Sequence, residues 1–130
     1  MNITKLYPKF KNFKDVKLLY SSGLLNEYKI LLAYSTRNRG VSKGAYKSLN
    51  LGFRVGDIKN NVMKNRKLLT ETLGIHLNRL ITCEQVHGDK VTDIKKRYDN
   101  KSVWKTKNEF SLTDGLMTGE KNLFLSIMTA

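Results

Sequence analysis

The sequence predicts an α+β fold, a mixed α/β arrangement in which short strands surround one clear helix. Helical spacing of Ile58, Val62, Leu69 and Leu73 between Asp57 and Gly74 gives the helix. Short apolar runs bounded by polar and turn residues, at Tyr28–Ser35, Leu80–Val86 and Asn122–Met128, give the strands. A length of 130 residues makes one domain the default, with enough chain to bury a core.

In chain order, residues 1–17 alternate basic and aromatic residues without a clean period, and read as a loosely attached start before a short strand at Leu18–Tyr20. Tyr28–Ser35 is expected to be a buried strand that enters a loop over Thr36–Tyr46. Ser48–Val55 reads as extended, with Leu49, Leu51 and Phe53 on one face and Asn50 on the other. Asp57 is the expected N-cap of the helix, and Gly74 its expected C-terminal residue. Leu80–Val86 and Lys90–Ile94 read as extended stretches joined by the turn chemistry of Gly88-Asp89. Lys95–Asn108 is polar and reads as an exposed loop, before strands at Asp114–Thr118 and Asn122–Met128. The last of these is almost wholly apolar, which suits burial on both faces.

Composition excludes several classes. No apolar run is long enough to span a bilayer and residues 1–14 lack the apolar core of a signal peptide, so a cytoplasmic location is expected. A single cysteine, Cys83, excludes an internal disulfide. The net charge of +13 comes from lysines scattered along the chain. That pattern describes a solvated surface better than a basic helix or an aromatic-interleaved patch, so nucleic acid is an unlikely partner.

Several side chains could carry chemistry. Arg37, in the loop after a strand, is the best anion-binding candidate, because a guanidinium grips two oxygens in a fixed fork. Ser42 and backbone amides near Gly40 would assist it. Asn50 offers a donor and an acceptor suited to ribose hydroxyls or a purine edge, and equally to a turn. His87 alone reads as a loop histidine bonded to a carbonyl, and His76 as a residue capping or following the helix. Cys83 reads as a small hydrophobe, too far from His87 along an extended strand to share a site. Asp57 and Asp114-Gly115 read as cap and turn, and Gln85 as a group that orients a neighbouring loop or His87.

Taken together, Glu84-Gln85-Val86-His87-Gly88, the run Ser35-Thr36-Arg37-Asn38-Arg39-Gly40-Val41-Ser42, Ser48-Leu49-Asn50-Leu51-Gly52 and the end at Met128-Thr129-Ala130 resemble the YfiH family from Tyr28 to Ala130. Members of that family are described as zinc-binding purine nucleoside phosphorylases and were formerly called laccase-like polyphenol oxidases. The resemblance implies a YfiH-like layered sheet-and-helix domain and zinc-dependent phosphorolysis of adenosine, inosine, guanosine and methylthioadenosine, with deamination of adenosine. His87 becomes a metal ligand and a catalytic residue with Arg37, while Arg37, Ser42 and Asn50 would bind substrate and phosphate. The family holds its zinc with one histidine of a Gln-Val-His-Gly segment plus a cysteine and a second histidine further on.

Since the family continues the run resembling Met128-Thr129-Ala130 with Asp-Cys, the resemblance implies an N-terminal portion, apparently truncated. It is expected to be inactive alone, to bind zinc weakly and to need a C-terminal half or complementary chain. The family usually has glycine where this chain has Arg39, and an arginine would resist a positive φ there. The rival expectations are a basic module binding RNA or another polyanion, and a laccase-like oxidase; the second has few His and Cys residues to hold copper.

Overall fold

The computed structural model describes residues 8–13, 16–95, 110 and 112–129. It is a mixed α+β structure. Strand β1 (Lys9–Phe13) pairs antiparallel with β2 (Val16–Tyr20), and β2 pairs antiparallel with β3 (Ala33–Ser35). Between β2 and β3 lies helix α1 (Ser22–Tyr28). Helix α2 (Lys59–Leu73) follows a long loop that contains a 3-10 turn at Gly44–Tyr46. Strand β4 (Leu80–Thr82) then pairs parallel with β7 (Phe124–Ser126), and β5 (Val91–Asp93) pairs parallel with β6 (Gly115–Met117).

Several expectations are corrected. The segment before Leu18 is not loose over 9–13, because those residues form a hairpin with β2, whose Val16 and Leu18 are buried. Tyr28–Ser35 is not one strand. Ser21 caps a helix by accepting from the Leu24 amide, and Lys29 ends it in the left-handed region at φ 59, so only residues 33–35 are left as strand. Ser48–Val55 forms turns and bends rather than a strand, since Asn50 folds back on Gly52. Strand β7 is half-buried and bonded to β4 on one side, not buried centrally. The expected loop over Lys95–Asn108 lies, from residue 96 on, outside the described residues.

Two apolar clusters hold the elements. Val16, Leu18, Leu49 and Leu69 join β2, the long loop and α2; Ile81, Ile94 and Phe110 gather β4 and the chain after β5, with Cys83, Leu116, Leu123 and Leu125 against them. Each fully buried aliphatic side chain stabilises by about 1.5–3 kcal/mol. Helix α2 ends at Gly74 with φ 70, as its sequence predicts. Its buried face differs from expectation: Val62 and Leu69 are inside with Asn65, Arg66 and Thr70, while Ile58 is exposed. Asn65 and Arg66 face loops whose backbone needs donors and acceptors, while the Thr70 hydroxyl donates back to the Arg66 and Lys67 carbonyls of its own helix.

Candidate functional site

Residues 36–50 form a loop that closes on itself. The Arg37 carbonyl accepts from the amides of Ser48 (3.2 Å) and Leu49 (2.8 Å) and from the Ser48 hydroxyl (2.7 Å). Arg37 Nε donates to the Lys47 carbonyl at 2.7 Å, and the side chain is otherwise exposed. At Gly40 the loop crosses its own return limb so closely that a Cβ would overlap the Ser48 carbonyl and the Leu49 Cα. The amides of Gly40, Val41 and Ser42 turn inward, to Ser48 Oγ, Asn65 Oδ1 and the Ser48 carbonyl. They are therefore not aimed at a ligand, contrary to expectation.

The residue that organises this loop is Asn65 of α2, which is fully buried. Its Oδ1 accepts from Val41 N at 2.8 Å, and its Nδ2 lies 2.9 Å from Ser42 Oγ, 2.8 Å from the Asn50 carbonyl and 3.2 Å from the Ser48 carbonyl. A single side chain thus fixes both limbs of the loop. The buried Ser42 hydroxyl donates to Asp57 Oδ2 at 2.6 Å, and Asn50 Nδ2 donates to the same oxygen at 2.9 Å. Asp57 is consequently not the side-chain N-cap expected; Ile58 occupies that position without a cap bond.

Hydrogen bonds from Ser42 first, then Asn50, hold the Asp57 carboxyl below the usual aspartate range. A depressed folded pKa contributes stability above the unfolded value, near about 3.9, and loses it as pH falls through the folded value. Asp57→Asn should therefore be less stable than the parent at pH 7, and the difference should shrink at pH 3. Urea denaturation at both pH values measures it; a constant gap would exclude this linkage.

Arg39 lies at φ 70, a conformation that glycine adopts freely and other residues rarely. A non-glycine residue there costs about 1–2 kcal/mol. Arg39→Gly is expected to raise stability by about 1 kcal/mol, net of the contacts its side chain makes, read as a higher urea midpoint at unchanged slope.

Arg66, next to Asn65, was not singled out in the sequence. It is 4% exposed, donates from Nε to the Leu51 carbonyl at 2.8 Å, and lies with its guanidinium carbon 4.4 Å from the centroid of the Phe53 ring. Its Nη1 is 3.4 Å from Thr82 Oγ1. Burial pushes its pKa down to about 10. Arg54, next to Phe53, forms an ion pair with Glu84. These two arginines connect the 51–54 segment to the strand that leads to His87.

His87 is exposed, at φ 60, on a bend after β4. Its position is set by Asp114, whose Oδ1 accepts from the amides of Val86 (2.8 Å) and His87 (2.7 Å) and whose Oδ2 accepts from Gly88 (2.8 Å). Partial desolvation raises the Asp114 pKa, but the amides of Gly88, Val86 and His87 outweigh it and the net shift is downward. Asp114 is thus an anchor for the His87 bend rather than only a turn residue. Gln85 accepts from Met128 N at 2.9 Å, so it fixes the segment after β7 and not His87.

Arg37, Ser42 and Asn50 share one loop, and the last two meet at Asp57. Among the described residues, no hydrogen bond or ion pair joins them to His87. Cys83 packs on the second apolar cluster, and burial raises its pKa, which leaves the thiol unactivated. No group of three or more His, Cys, Asp or Glu that could hold a metal occurs among the described residues. His87 offers one imidazole, and the donors described do not amount to a zinc site.

Residues 31–130 match the family model described as multi-copper polyphenol oxidoreductase laccase. The chain belongs to this family. YfiH of Bacillus licheniformis, a hypothetical protein, superposes with a TM-score of 0.80 at 26% identity over 93% of the chain and 44% of its own. YlmD of Geobacillus stearothermophilus superposes at 0.81 and 29%, over 95% and 45%. Among curated relatives of this laccase-like YfiH family, the purine nucleoside phosphorylase YlmD of Bacillus subtilis is 30% identical over 105 residues, 81% of this chain and 38% of that protein. The Geobacillus stearothermophilus purine nucleoside phosphorylase YlmD is 35% identical over 96 residues, 74% of this chain and 35% of that one. The chain spans less than half the length of these relatives. No helix among the described residues is long and apolar enough to cross a membrane.

Proposed function

We propose that the chain is the N-terminal portion of a zinc-dependent purine nucleoside phosphorylase acting on adenosine, inosine, guanosine and methylthioadenosine, with adenosine deamination as a second activity. The observation that carries this reading is the family match over residues 31–130, which includes every candidate side chain, with relatives named purine nucleoside phosphorylases. Zinc, when bound by a complete set of ligands, supplies a water of lowered pKa or polarises a substrate atom. This chain would contribute His87 to it, held at its bend by Asp114. The other ligands would come from polypeptide outside the chain.

Arg37 binds phosphate in this reading. Its Nε is committed to Lys47, while its Nη groups have no other partner among the described residues and remain for an anion. Ser42 and Asn50 belong to the same loop, tied through Asp57 and Asn65. Asn50 would also orient the nucleoside.

The test supplies the chain with the portion of the Geobacillus YlmD sequence that it does not match, and measures purine base released from inosine in phosphate buffer. The chain alone should release none. The pair should be active, with Arg37→Ala losing about 10- to 100-fold in apparent phosphate affinity, the worth of a charge-assisted hydrogen bond. His87→Ala should remove activity together with bound zinc. Turnover by the chain alone, or a pair indifferent to His87, would refute the reading.

A further inference from the structure

Strands β2 and β3 bury one face of their pairing in the first apolar cluster. Val16 and Leu18 of β2 point into the first apolar cluster with Ala33 of β3, and the register Leu19↔Tyr34 puts those two residues on the opposite face. Leu32, whose carbonyl accepts from Ser21 N, continues that side, and Ile30, whose amide closes α1 on the Leu24 carbonyl, is the next exposed apolar residue before it. Ile30, Leu32 and Tyr34 are 54%, 49% and 55% exposed, three alternate apolar residues in succession. Scattered exposed hydrophobics are ordinary, but a run of them leading into an open strand marks a surface that is covered in use.

The same strand has an open edge. β3 is bonded to β2 alone among the described residues. Ser21 N donates to the Leu32 carbonyl and Thr36 N to the Lys17 carbonyl, which turns the backbone of residues 32 and 36 toward β2. Antiparallel alternation then turns that of Ala33 and Ser35 outward. An exposed edge beside an apolar face is a template for one more strand.

We infer that the stripe Ile30–Leu32–Tyr34 and the outer edge of β3 form the docking surface for polypeptide from the remainder of the family domain, which adds a strand beside β3 and covers its apolar side. Two observations select this occupant. The chain accounts for only 38% and 35% of its curated relatives, so most of their polypeptide lies outside the region it matches. And the Tyr34 hydroxyl bonds the Thr129 hydroxyl, so the segment after β7 already runs beside the stripe. A strand edge also asks for backbone donors and acceptors in register, which a polypeptide supplies and a lipid or nucleic acid does not. The inference rests on family membership and on the sheet, and it deepens the proposed function without depending on its reaction.

The chain is co-expressed with the unmatched portion of the Geobacillus YlmD, the complex is purified through a tag on the chain, and amide exchange is followed by mass spectrometry. A one-to-one complex with slowed exchange over residues 30–36 is expected. The double substitution Ile30→Lys and Leu32→Lys, at exposed positions, should weaken it at least tenfold, and Leu32→Ser alone should act in the same direction. Ile58→Lys, at an exposed apolar residue on another element, should leave it unchanged. No co-purification, unchanged exchange over 30–36, or equal binding by the stripe variants would overturn the inference. So would a homodimer of the chain that the same variants abolish, since the occupant would then be a second copy. A complex protected at 30–36 but without phosphorolysis would remove the proposed reaction and leave the interface standing.

Discussion

Asn65→Ala is expected to destabilise the domain by about 3–5 kcal/mol. The substitution leaves the Val41 amide and the Asn50 carbonyl without the partner Asn65 provided, and opens a small void beneath the loop. Each of these part-buried groups left without its partner costs up to about 1–3 kcal/mol, and the void under the fully buried Asn65 position adds to it. For a chain of this size that corresponds to a fall in melting temperature of roughly 10–20 °C. Thermal and urea denaturation read the change directly. A loss below about 1 kcal/mol would mean that water or a shifted backbone replaces the amide, and that Asn65 does not organise residues 36–50. Asn65→Asp should be no better, because it retains the acceptor for Val41 but places a carboxylate oxygen against three oxygen atoms that now accept from Nδ2.

Gly40→Ala is the second large effect. A methyl group at this position meets backbone atoms of Ser48 and Leu49, not the end of a flexible side chain, so relief requires separating the two limbs of the loop. Overpacking of this kind costs about 1–3 kcal/mol and sometimes more. Separation would also strain the Gly40 N to Ser48 Oγ and Ser42 N to Ser48 carbonyl bonds, so about 2–4 kcal/mol is expected. Gly119→Ala, where an added Cβ meets nothing within 4 Å, is the matched control and should be near neutral. Equal stability of the two variants would show that the loop relaxes at little cost.

Helix α2 and the four later strand cores were legible in the sequence because each rests on local signals: Gly74 stops the helix, and Leu80–Thr82, Val91–Asp93, Gly115–Met117 and Phe124–Ser126 lie inside the stretches read as extended. The pairing of those strands was not legible, since parallel partners are set by contacts far apart in sequence. Helix α1 was hidden inside a run whose hydrophobicity suits either a strand or a helix; Ser21 was the available signal. At the candidate site, the loop bearing Arg37 and the bend bearing His87 stood out by their motifs. The residues that hold them, Asn65 and Asp114, did not, because a mid-helix asparagine and an aspartate before glycine have commoner local explanations. The warning sign at Arg39 was legible and points to a real left-handed residue.

Arg66 gives the interior of this domain a permanent electrical character. Burial lowers its pKa only to about 10, so the guanidinium keeps its proton at any pH a cell maintains. A lysine in the same place would start from about 10.4 and, under comparable desolvation, could be driven into the physiological range. With arginine, the positive potential beneath Leu51 and Phe53 is as constant as the helix that carries it, and acidification of the surroundings leaves it unchanged.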